Sequence, residues 1–183
     1  MSCLRPQQRD KLGWYGCHRR QINKAIRQQA SVVVIGDSLV RWLSRYPEVW
    51  KVLSQHNIAN FGIGGDGAGN VLWRVDNLSL SPSVKLVVIL VGTNNMLTDK
   101  SEDIALSIMS SVVKLREKYP QLHVVVTGIT PRGLHLSPLR EKIRRTNVLL
   151  KSFCEKKPYH TSFIEQSDSW TNDSGRLTEL FFL

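Results

Sequence analysis

The chain has 183 residues, 42% of them hydrophobic, and 25 Lys and Arg against 15 Asp and Glu give a formal net charge of +10. This is enough for one domain with a real core and excludes a disordered chain. No segment approaches the roughly 18 apolar residues of a membrane span, and the polar Met1–Asp10 start lacks the apolar core of a secretory signal, so membrane insertion is not expected.

The first thirty positions carry Arg5, Arg9, Lys11, Arg19, Arg20, Lys24 and Arg27, opposed only by Asp10. They read as a basic N-terminal helical segment, residues 1–30, with a helix over about 11–30 and Trp14, Ile22 and Ile26 as its apolar contacts. The remaining residues, 31–183, read as one domain. A β-branched strand at 31–35 ends in Gly36-Asp37-Ser38, and an amphipathic helix follows over about 38–55, bent at Pro47. Asn57–Phe61 is a short strand leading into the glycine-rich Gly62–Gly67, and then a helix carries Val71, Leu72 and Val75.

Val84–Val91 is the strongest strand signal and runs into Gly92-Thr93-Asn94-Asn95. A helix over 102–118 has Ile104, Ile108, Val112 and Leu115 on one face. The strand Leu122–Thr127 ends at Gly128 and the Pro131-Arg132-Gly133 loop, a basic helix spans 138–156, and a last strand is expected near 161–165. Apolar strands alternating with helices predict a three-layer α/β/α domain with a parallel sheet in flavodoxin-like order.

Three strand ends then lie along one sheet edge: Gly36-Asp37-Ser38, Gly64-Gly65-Asp66 and Gly92-Thr93-Asn94. Each alone is ordinary turn chemistry. Together they suit acyl transfer, with a serine at a helix N-terminus, a glycine N–H and an asparagine amide as donors to an oxyanion. Asp37 is expected to order its turn by bonding to backbone, and Trp42 and Trp73 to line core or pocket wall. The glycine run lacks Gly-Lys-Ser/Thr, so no nucleotide cofactor is expected. Cys3, Cys17 and Cys154 make neither a disulfide framework nor a zinc pattern and suit a reducing, cytoplasmic setting.

Gly36-Asp37-Ser38, Asn60-Phe61-Gly62-Ile63-Gly64-Gly65-Asp66, Val71-Leu72-Trp73-Arg74, Val91-Gly92-Thr93-Asn94-Asn95 and Pro131-Arg132-Gly133 resemble the SGNH (GDSL) hydrolases. Within that family they are similar to the catalytic subunits of the intracellular platelet-activating-factor acetylhydrolases. The resemblance implies a serine esterase of short acyl esters that needs no metal or other cofactor, with Ser38 as nucleophile and Gly65 and Asn94 forming the oxyanion hole. It also implies pairing as a homodimer or heterodimer.

The family carries its catalytic Asp and His in a late Asp-x-x-His block, which these 183 residues do not contain, so the expectation is a C-terminally truncated chain of doubtful activity. His135 follows Arg132 where that block would carry Asp, and Asp168 and Asp173 have no histidine after them. An inactive esterase-fold scaffold, associated with nucleic acid through the basic segment, is the alternative.

Overall fold

The computed structural model describes residues 3–10, 12–132, 137–156, 160–166 and 176. Five parallel strands, β1 (Val32–Gly36), β2 (Ile58–Gly62), β3 (Leu86–Leu90), β4 (His123–Thr127) and β5 (Thr161–Ile164), form one sheet in the order β2-β1-β3-β4-β5. Continuous apolar runs suit these positions because helices cover both faces of the sheet. Val33, Ile35, Val87, Ile89, Val124 and Val126 are buried. The expected strand 84–91 is trimmed to Leu86–Leu90, since Val84 is spent closing a turn onto Ser81 O at 3.0 Å.

The chain steps from β1 outward to β2, then returns across β1 to β3 and continues in the other direction. Right-handed crossovers therefore send the helices after β1 to one face and those after β2, β3 and β4 to the other. The loops after β1 and β3 diverge at this reversal, where an open α/β sheet has its crevice.

Helices α4 (Ala68–Asp76), α5 (Ser101–Lys118) and α6 (Pro138–Lys156) pack in series. The α5 stripe of Ile104, Ile108, Val112 and Leu115 is buried as its spacing predicts. The helix expected over 38–55 is instead three pieces: α2 (Ser38–Trp42), a 3₁₀ turn (Leu43–Arg45) and α3 (Pro47–Ser54). Proline does more than bend this segment. It forces Tyr46 into an extended conformation, φ −102° and ψ 98°, and starts a new helix. Trp42, expected in the core or a pocket wall, is left 42% exposed by that break, outside the core.

The N-terminal helix α1 spans Trp14–Arg27 and ends in a Schellman turn, with Ala30 N–H on Ala25 O and Gln29 N–H on Ile26 O. It buries Trp14, His18 and Ala25. Ile26 was expected among its contacts, but it lies one residue beyond Ala25, rotated off that face, and is 44% exposed. The segment before α1 also packs on the domain: Cys3 is buried, and Gln7 N–H donates to Gly69 O at 2.9 Å.

Candidate active site

The strand register aligns the ends of three strands. Gly36 pairs with Gly62 on one side and with Leu90 on the other, so the loops after β1, β2 and β3 start at one level. Gly36 and Gly62 permit this, because a Cβ on the first would strike Leu90 O and one on the second the Arg41 backbone. Ser38 is the first residue of α2, half-buried, directly after the N-cap Asp37. The Asp37 carboxylate accepts the Leu39 N–H at 2.9 Å, the backbone-ordering role its sequence position suggested. Its other oxygen has no partner among the described residues. Burial pushes the Asp37 carboxyl up to about 6, the Leu39 hydrogen bond opposing it.

Gly65 is exposed with φ +81°, a left-handed turn that disfavours a side chain. A Cβ there would lie 2.9 Å from Arg9 Nη1 and would displace that guanidinium. Among the described residues nothing accepts the Gly65 N–H. Asn94, also exposed, donates one amide hydrogen to Asp66 O at 2.9 Å, which ties the β3 loop to the Gly65-Asp66 turn and leaves its second hydrogen uncommitted. Asn95, for which the sequence suggested no separate role, is buried: Oδ1 accepts Ala68 N–H at 2.8 Å and Nδ2 donates to Asp99 at 3.0 Å. It fixes the start of α4, while its neighbour faces outward.

Beneath the turn lies a charged network that sequence reasoning missed. Asp66 is wholly buried and accepts from Trp14 Nε1–H at 2.7 Å, Arg74 Nη1 at 3.0 Å and Arg9 Nη1 at 3.5 Å. Arg9 also donates to Gly64 O at 2.9 Å. Arg74, equally buried, reaches Phe61 O at 2.6 Å, Gly36 O at 3.3 Å and Gln21 Oε1 at 2.9 Å, so one guanidinium clamps the ends of β1 and β2 and the turn between β2 and α4. Burial raises the Asp66 carboxyl, against the pull of Arg74, Trp14 and Arg9. One signal was available: Arg74 sits between Val71 and Val75 on the buried side of α4, and a charge in an apolar stripe requires a partner.

Two described histidines have other partners. His18 is buried, its Nε2 3.3 Å from Asn77 O and its Nδ1 taking Arg74 Nε–H at 3.4 Å. Burial, helped by Arg74, lowers its pKa to about 4 and keeps it neutral. His123 Nε2 lies 2.9 Å from Ser162 Oγ. Among the described residues no histidine is hydrogen-bonded to Ser38, and His135, Asp168 and Asp173 lie outside them. No three His, Cys, Asp or Glu side chains among the described residues gather to hold a metal ion, and no described helix is long and apolar enough to cross a membrane.

The chain is 38% identical over 167 residues to the human platelet-activating factor acetylhydrolase IB subunit alpha1, covering 90% of this chain and 71% of that protein. It is 38% identical over 147 residues to the Gallus gallus subunit alpha2, covering 79% and 63%. The crystal structure of a GDSL-like lipase from Bacteroides thetaiotaomicron superposes with a TM-score of 0.65 at 17% identity, covering 88% of this chain and 89% of that one, a likeness of fold. The sequence model of the GDSL-like lipase/acylhydrolase family matches residues 34–182. The α/β chain with its 2-1-3-4-5 parallel sheet belongs to the GDSL-like lipase/acylhydrolase family.

Proposed function

We propose that the chain is built for serine-dependent hydrolysis of short acyl esters, with Ser38 as nucleophile. The observation that carries this is the open Gly65 N–H beside an Asn94 amide held by Asp66 O, both at the sheet edge where Ser38 begins α2. Ser38 Oγ attacks the ester carbonyl, and its proton passes to a base. The carbonyl oxygen gains charge as the tetrahedral intermediate forms, and the Gly65 N–H, the second Asn94 amide hydrogen and the Ser38 N–H stabilise it. The alcohol leaves, and water releases the acyl group from Ser38. His18 and His123 are committed to other partners, and His56 and His160 precede β2 and β5, at the strand ends opposite to the one that carries Ser38. This makes His135, between β4 and α6 in the sequence, the histidine of this chain to test as base.

The relatives named above are subunits, which supports pairing of this chain as a homodimer or heterodimer. Its three cysteines are free thiols, which supports a reducing, cytoplasmic setting. A fluorophosphonate ester tests the nucleophile: peptide mapping of the treated protein is expected to find the adduct on Ser38, and an adduct elsewhere or none would contradict the reading.

A further inference from the structure

The two basic clusters in the sequence meet different fates. On α6, Arg144 pairs with Glu141, Arg145 with Glu102 and Lys151 with Glu165. Helix α1 contains no acidic residue, and among the described residues Arg20 and Lys24 have no carboxylate partner; nor has Arg41 of α2. These three cations line one cleft of about 420 Å³ between α1, α2 and the edge strand β2, with Trp50 as an aromatic wall and no acidic residue in the lining. The neutral side chains around it each hold one backbone carbonyl. Gln21 donates to Gly62 O at 3.0 Å, Gln28 to Ile58 O at 3.3 Å, Asn60 to Val40 O at 2.7 Å and Ser44 to Arg41 O at 3.2 Å. Positive charge dominates what the cleft offers a ligand.

We propose that this cleft binds a small phosphate-bearing anion. Arg20 and Lys24 lie four residues apart on one helix face, a like-charge pair that opposes helix formation unless an anion balances it. A single carboxylate would answer one of three cations, whereas a phosphate group brings close to two charges and several acceptor oxygens that guanidinium forks fit. The volume suits a small molecule. A second copy of this chain would bring the same positive charge to the cleft. Ser38, Gly65 and Asn94 are outside the lining, but Arg41 Nη1 would lie 3.3 Å from a Cβ on Gly64, so the bound anion sits beside the turn that carries Gly65. The site does not depend on ester hydrolysis.

Cys17 lines the cleft and is half-buried, which supplies a reporter. Cys3 and Cys154 are 3% exposed each, and burial pushes their thiols up to about 12 and about 11, so a maleimide at neutral pH reads Cys17. The test titrates the whole chain with pyrophosphate at constant ionic strength, following Cys17 labelling by peptide mapping and melting temperature on the same samples. Labelling is expected to slow saturably, about tenfold at ten times Kd, with a parallel rise in melting temperature. Arg20→Ala and Lys24→Ala, checked for unchanged circular dichroism, are each expected to weaken binding about tenfold or more. No saturable response in melting temperature overturns the proposal, whatever Cys17 does. So does an equal response in the variants, or a response to a single-stranded oligonucleotide alone.

Discussion

Arg74 and Asp66 meet with both side chains wholly withdrawn from solvent, Nη1 3.0 Å from Oδ2. The pair joins α4 to the residue that follows Gly65, and through Gly36 O and Phe61 O it holds the ends of two strands. Such a pair is weak evidence for net stability, because desolvation offsets its attraction, but losing one partner strands the other charge. Arg74→Met is therefore expected to cost about 3–5 kcal/mol in urea unfolding. A cost near zero would mean that the clamp is not formed.

Trp14 places α1 in the same network through its indole N–H on Asp66. Trp14→Phe keeps most of the packing against Trp73, whose ring centroid is 5.2 Å away, and removes only the donor. The expected loss is about 1–3 kcal/mol, together with a fall in kcat as the Gly65 turn loosens. If kcat is untouched while stability falls, α1 supports the fold without positioning the site.

Asn94 and Asn95 are neighbours with opposite expectations. Asn94→Ala removes an exposed donor and its bond to Asp66 O and should lower kcat by about 10²–10³, at a stability cost of only about 0.5–1.5 kcal/mol. Asn95→Ala leaves the Ala68 N–H and the Asp99 carboxylate short of a partner and should cost about 1–3 kcal/mol of stability. Paired kinetics and denaturation of the two variants check this, and the reverse pattern would exchange their roles.

Asp37 and His18 bend the pH–stability curve in opposite directions. Asp37 holds its proton more tightly folded, to about 6, than unfolded, so its contribution is present at low pH and is lost as pH rises from about 4 to 6. His18 resists protonation down to about 4, so its contribution is present above about 6.5 and is lost as pH falls toward 4. Each effect is on the order of 3 kcal/mol, and over this window the two nearly cancel. Asp37→Asn should expose a fall in stability on acidification, and His18→Gln a rise. Melting temperatures between pH 4 and 7 read both slopes.

Much of this was legible in the residues. Val32–Gly36 and Leu86–Leu90 are β-branched or apolar throughout because they are central strands, and the stripe on α5 reads directly as helix period. The three Gly-rich strand ends were visible because backbone approach at a sheet edge demands glycine. The break at Tyr46–Pro47 was underread as a bend, since a proline at a first helical turn and one inside a kinked helix look alike without the preceding residue's backbone. The buried network stayed hidden for another reason. Arg9 and Trp14 lie more than 50 residues before Asp66 and Arg74, and only the packing of the N-terminal segment on the β2–α4 region shows that one carboxylate serves all three donors. Asn95 was indistinguishable from turn composition until its burial set it apart from Asn94.

The most direct test of the central claim is hydrolysis of p-nitrophenyl acetate by the chain beside Ser38→Ala and His135→Ala. A nucleophilic Ser38 predicts turnover that disappears in Ser38→Ala, with the His135→Ala rate reporting whether that histidine serves as its base. Equal rates above the uncatalysed background in the chain and in Ser38→Ala would contradict the assignment of Ser38, and background rates in both would contradict a working base within these residues.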